Sequence, residues 1–172
     1  MIVIRMGTNQ DSSSSKHSGT ADSLRVVSLE FFEVELRPDG IVWLKRNQVS
    51  YEMISDVHRA YDQFLPVVKA WHLDRRIASG DLGTRVATPM GWLYDLRLAP
   101  TQRNDQAFES AILERSPDLL ELSPFVAVLV KTAAGRLQNN RLARADALQV
   151  RVSDDLDDSI AWLQERLWQK AE

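Results

Sequence analysis

From Phe31 to Trp168 the chain alternates apolar runs of strand length with longer stretches in which apolar residues recur at helical spacing. The predicted order is β-β-α-β-α-β-α-β-α, an α/β arrangement in which helices pack on a mixed sheet. Phe31, Phe32, Val34 and Leu36 lead into Arg37-Pro38-Asp39-Gly40, where proline presets φ and glycine accepts a positive φ. Ile41, Val42 and Leu44 resume beyond the turn, so the first two strands form an antiparallel hairpin. A helix is expected from Ser50 or Tyr51, with Ile54, Val57, Tyr61, Phe64, Leu65 and Val68 on one face and a bend at Pro66. The stretch 73–91, with Arg75, Arg76, Gly80, Gly83, Arg85 and Pro89, reads as a long loop, either functional or an insertion.

Trp92 to Leu98 is expected to be the third strand. Asn104 reads as the N-cap of the next helix and Asp105 as an acid in its first turn, ahead of Phe108, Ile112 and Leu113, with Pro117 ending or kinking it. Phe125 to Val130 is apolar throughout, as a strand buried on both faces requires. Gly135 is expected to turn the chain before a helix from Leu137 to Ala147. A last strand over Leu148 to Val152 and a closing amphipathic helix over Leu156 to Trp168 complete the order. Helical crossovers separate the three later strands, which should therefore run parallel.

Composition narrows the classes. At 172 residues, with 44% hydrophobic residues and a net charge of -3, the chain suits one domain and a tail. Residues 1–25 are expected to be that tail, because Asp11 to Ser23 is serine-rich and almost devoid of large apolar side chains; Met1 and Met6 remain alternative starts. The absence of cysteine removes disulfides and thiol chemistry and suits a reducing compartment. No apolar run approaches the ~20 residues of a membrane span, so a cytoplasmic protein is expected. A pI near 5.7 argues against a nucleic-acid partner.

The element order and several short motifs resemble the STAS superfamily, in its SpoIIAA-like (anti-sigma-factor-antagonist-like) branch, from about Leu29 to Trp168. The residues concerned are the opening hairpin, Tyr94-Asp95-Leu96-Arg97, the run Val126 to Val130 followed by Thr132-Ala133-Ala134-Gly135, and Ser159-Ile160-Ala161-Trp162-Leu163. The resemblance implies a non-enzymatic bacterial signalling or scaffolding domain that binds a protein through the loop and helix after the third strand. It also allows an apolar small-molecule or lipid ligand. The phosphoswitch members carry Asp-Ser-Ser-Gly at the start of that helix, where this chain has Arg103-Asn104-Asp105-Gln106, so no serine phosphoswitch is implied. Asp105 stands either as a fixed charge in place of the phosphoserine or as a plain helix cap.

The candidate partner-binding residues are therefore Arg97, Thr101, Arg103, Asn104 and Asp105, with Arg141 and Arg144 spaced to share a face of the following helix. For these arginines a solvated face is the default reading, and for Thr101 ordinary loop chemistry. No cofactor or metal site is expected. His58 and His72 lie about four turns apart on one helix and cannot share an ion. Asp154, Asp155, Asp157 and Asp158 read as the acidic start of the last helix rather than a cation loop. No nucleophile-base pair is legible, which argues against catalysis. Trp43, Trp71, Trp92, Trp162 and Trp168 read as core, with a ligand pocket as the alternative and Trp168 as an anchor for a partner or a homodimer.

Overall fold

Short strands between Arg25 and Arg46, with buried and half-buried positions alternating along Phe32–Leu36, build an antiparallel meander, and a parallel half is added to it one crossover at a time. The computed structural model describes residues 3–5, 24–78, 90–100, 105–145 and 149–171. The meander comprises β1 (Val3–Arg5), β2 (Arg25–Ser28), β3 (Phe32–Leu36) and β4 (Ile41–Arg46). Then follow α1 (Ile54–Ala78), β5 (Gly91–Asp95), α2 (Gln106–Glu114), α3 (Ser116–Leu120), β6 (Phe125–Leu129), α4 (Ala133–Ala145), β7 (Gln149–Ser153) and α5 (Leu156–Ala171). The sheet is mixed, its seven strands lie in chain order, and β4 to β7 are mutually parallel.

The β3–β4 turn closes as its residues predict. Gly40 has φ 89°, its N–H donates to the Arg37 carbonyl at 3.1 Å, and the Asp39 carboxylate accepts from the Ile41 N–H at 3.2 Å. Each crossover moves one strand onward in the same direction, so right-handed connections place their helices on one face of the sheet. On that face Val34, Leu36, Val42, Leu44, Trp92, Val126 and Val128 pack with Val57, Phe64 and Val68 of α1 and Ala111 of α2. On the opposite face, Leu163 and Leu167 of α5 cover Ile41, Leu93, Phe125, Ala127 and Leu129. Gly91 permits that approach: a Cβ there would lie 3.0 Å from the Leu163 side chain. Beyond α5 this face is polar, with Lys45 bonded to Glu33 at 3.0 Å and Glu35 at 2.6 Å and lying over the Trp43 ring. A cross-strand charge ladder thus stands in for a covering helix.

Several elements differ from the sequence reading. Asp56 accepts from the Glu52 and Met53 N–H groups at 2.8 and 2.9 Å, which holds 51–53 out of the helix and starts α1 at Ile54. Pro66 lies inside α1. Leu73–Ala78, assigned above to the long loop, is the end of that helix, since nothing before Gly80 breaks it; 79–89 lie outside the described residues. The third expected strand stops at Asp95 rather than Leu98, because the Asp95 carboxylate accepts the Arg97 N–H at 3.1 Å and turns the chain. Pro117 does not merely end a helix: it occupies the first turn of α3. Gly135 is helical too, its N–H bonded to the Thr132 hydroxyl at 3.1 Å. Most of the expected tail falls outside the described residues; at its two ends, Val3–Arg5 forms β1 and Arg25 opens β2.

Candidate functional site

Parallel strands followed by helices bring their loops and helix N-termini to one edge, the carboxyl end of the strands. Here Arg46, Asp95, Leu129 and Ser153 end β4, β5, β6 and β7 along that rim.

Arg46 organises the rim's first corner. It continues the alternation of Val42 and Leu44, lies opposite Phe32, and is only 3% exposed. No carboxylate pairs with it among the described residues. Its guanidinium instead donates to the Phe31 carbonyl at 2.9 Å, the Asn47 side chain at 3.0 Å and the Val49 carbonyl at 2.5 Å. The rings of Tyr51, Phe31 and Phe32 lie 4.1, 5.3 and 5.5 Å from it. Burial lowers its pKa from the usual arginine value, against the effect of Tyr51, while burial pushes the Tyr51 phenol up to about 12. Asn47 donates to the Glu30 carbonyl at 2.6 Å, and Arg59 joins Glu30 to Asp56 at 3.0 and 2.8 Å. The 47–53 loop is therefore laced to 30–31 and to the start of α1.

At the next strand, Asp95 grips Arg97 through Nε at 2.9 Å and Nη2 at 2.6 Å. Burial alone would raise the Asp95 carboxyl, but its hydrogen bonds and charge pairing with Arg97 bring it below the usual range. The planar fork of Arg97 is thus used within the chain. Asp105 is the N-cap of α2: its carboxylate accepts the Ala107 N–H at 2.9 Å. Cap and first turn are shifted by one residue from the sequence reading. Thr101, Arg103 and Asn104 lie outside the described residues. Arg141 and Arg144 fall three apart on α4, which confirms their helical spacing, and their side chains are not described. Gln138 of α4 meets Glu109 of α2 at 3.3 Å, so the two helices are neighbours.

Three of the four acids around the start of α5 are committed to structure. Asp154 pairs with Arg136 at 2.9 Å, Asp155 accepts from the Asp157 and Asp158 N–H groups, and Asp158 holds Arg151. Among the described residues no group of three or more His, Asp or Glu side chains is placed to hold a metal ion. His58 lies 3.9 Å from Glu114, and His72 is buried farther along α1. No helix of the described residues is long and apolar enough to cross a membrane.

No family model, curated protein or solved structure matches this chain. The rim has to be read from its own chemistry. Its unsatisfied feature is apolar: Val49 and Met53 between β4 and α1, Ile54 at the first position of α1, and Leu98 just after β5 are all exposed, Met53 and Leu98 each by 62%. Because Lys45 pairs with Asp95 in parallel register, the two loops leave neighbouring strands side by side. Sequence reading placed Ile54 on the packed face of the first helix and Leu98 in the third strand and passed over Val49, Met53 and Arg46; Ile54 is instead 41% exposed at the opening of α1. The signal for Arg46 was present, since an arginine in phase with Val42 and Leu44 must lie on the buried face.

Acid titration checks the capping network. The Met53 N–H bond, with help from Glu52 and Arg59, holds the Asp56 carboxyl below its ordinary 3.8, and the Arg151 hydrogen bond does the same for Asp158. A depressed carboxylate contributes stability that is fully present above its unfolded pKa and is lost as pH falls through the lower folded value. Melting temperature should therefore fall as the pH drops below about 4. Asp56→Asn should melt lower at neutral pH and lose less on acidification. A parallel pair of pH curves would overturn this assignment.

Proposed function

We propose that this is a non-enzymatic regulatory domain of the STAS, SpoIIAA-like kind, which docks a protein partner at the carboxyl rim of its parallel strands in a bacterial cytoplasm. The observation that carries the reading is the set of exposed apolar side chains on the loops after β4 and β5. Isolated apolar residues are ordinary on a surface, whereas several on adjoining loops above a rigidly anchored base suit a contact. Arg46, Asp56 and Asp95 fix that base. Of the residues that the sequence singles out for partner binding, Asp105 opens α2, Thr101, Arg103 and Asn104 lie outside the described residues, and Arg141 and Arg144 belong to the last turns of α4, away from the rim, where arginines would suit an acidic extension of the partner. Asp105 as a helix cap accounts for its position without a charge-mimic role. Asp105→Ser should keep α2 capped and leave partner binding unchanged; a changed affinity would revive the mimic.

The test compares capture from native lysate by the wild type, by Met53→Glu, Leu98→Glu, and by Trp168→Ala at the far end of α5. A partner retained by the wild type and the Trp168 variant but lost by the folded rim variant supports the reading. Equal retention by all three, or none, overturns it.

One observation favours a second reading, an apolar small molecule or lipid that carries one hydrogen-bonding group. The Tyr94 hydroxyl is buried in the aromatic core, and it closes no hydrogen bond of good geometry among the described residues, although Tyr61 is close enough to interact with it. A small molecule carried through native mass spectrometry by the wild type and lost from Tyr94→Phe would support this reading over the first.

A further inference from the structure

We infer that β7 is a self-complementary edge through which two copies of this chain join their sheets. Strand β7 pairs with β6 and, among the described residues, with nothing on its other side. The direction of its backbone groups follows from its two ends: the Gln149 N–H donates to the Pro124 carbonyl at 2.8 Å and the Ser153 carbonyl accepts from the Val130 N–H at 2.9 Å. Both groups of a strand residue point the same way, and direction alternates. Gln149, Arg151 and Ser153 therefore face β6, and Val150 and Val152 turn their N–H and C=O groups outward.

A second β7 laid antiparallel about a two-fold axis at Arg151 sets Val150 opposite Val152 of the other copy, and Val152 opposite its Val150. Every outward donor then meets an outward acceptor, as an isologous contact demands. The side chains agree with this pairing. Val150 and Val152 share the α1 face and are only half-buried, so β-branched residues would meet across the axis. On the α5 face the two Arg151 side chains would approach each other, but each is already chelated by its own Asp158 at 2.9 and 2.6 Å. Two bases and two acids make a neutral cluster, and this charge balance argues for a second copy over a foreign strand. The edge also lacks the usual guards against pairing: it has no proline or bulge, and its single charge is internally neutralised.

Val150→Pro tests the inference directly. Proline there deletes an outward N–H and spares the β6 ladder, a setting in which an edge strand accepts it. The wild type should sediment as a dimer at micromolar concentration, and the variant, with unchanged circular dichroism, should associate roughly a hundredfold more weakly or worse. A monomeric wild type, or a variant that dimerises equally well, overturns the proposal. Should the variant not fold, amide exchange of the wild type decides: protection at Val150 and Val152 must rise with protein concentration, and concentration-independent protection overturns it. Neither result bears on rim docking, which the capture experiment tests separately.

Discussion

Arg46→Met should lower the unfolding free energy by about 3 kcal/mol and raise hydrogen exchange throughout 47–53. Three terms set this size. Methionine forfeits hydrogen bonds from a charged donor to the Phe31 and Val49 carbonyls and the Asn47 side chain, each worth about 1.5–3 kcal/mol in such settings. It also forfeits contact with the Tyr51 ring at 4.1 Å. Against these losses, removing a cation from a 3% exposed site recovers a desolvation cost of several kcal/mol. The Phe31 carbonyl keeps the Asn47 N–H at 3.1 Å, so the net loss stays well below the gross sum. Arg46→Lys retains the charge but cannot reach all three acceptors with one ammonium, and should fall between. Chemical denaturation of the three proteins checks the order. A change in Arg46→Met within about 0.5 kcal/mol, the scale of an ordinary surface substitution, would mean the loop holds its shape without the guanidinium.

Trp92→Ala should cost about 4 kcal/mol and lower the melting temperature by roughly 8–16 °C. Trp92 is fully buried, its ring lies 6.2 Å from Phe64 of α1 and 6.5 Å from Tyr94, and its N–H reaches the Leu119 carbonyl of α3 at 3.4 Å. One side chain thus ties the sheet to α1 and α3, and truncation leaves a cavity that these rigid neighbours cannot collapse to fill. Trp92→Phe should recover most of the loss and leave the Leu119 carbonyl to find another donor. A loss below about 1.5 kcal/mol for the alanine variant would show that α1 closes onto the sheet.

The helices and strands that bury a face were legible because periodicity reports burial. Phe125–Leu129 was read as buried on both sides, and every one of its residues is buried. Legibility failed where a single side chain redirects the backbone. Asp95 bonded to its neighbour's N–H ended β5 early, Asp56 delayed α1, and Thr132 let Gly135 join α4 instead of breaking it. Strand β2 escaped notice because Arg25–Ser28 is too short for alternation to stand out against the polar stretch before it. Of the candidate site, Asp105 and Arg97 were located in sequence, but their partners, the Ala107 N–H and Asp95, came only with coordinates. The exposed Met53 and Leu98 were invisible beforehand, since an apolar residue in a sequence is counted as core until packing leaves it outside.

By itself the sequence determined the α/β class, the hairpin at Arg37-Pro38-Asp39-Gly40, the parallel direction of β5, β6 and β7, the buried face of α1 from Val57 onward, and the amphipathic character of α5. These follow from local φ preferences and from matching a hydrophobic period to one covered surface. Tertiary structure alone decided that α5 lies opposite the other helices, that Arg46 is buried with no carboxylate partner among the described residues, that the loops after β4 and β5 leave adjacent strands, and that β7 ends the described sheet with an open edge. Each of those depends on contacts between residues far apart in the chain, whose mutual approach is set by crossover handedness and by competition for the same buried volume.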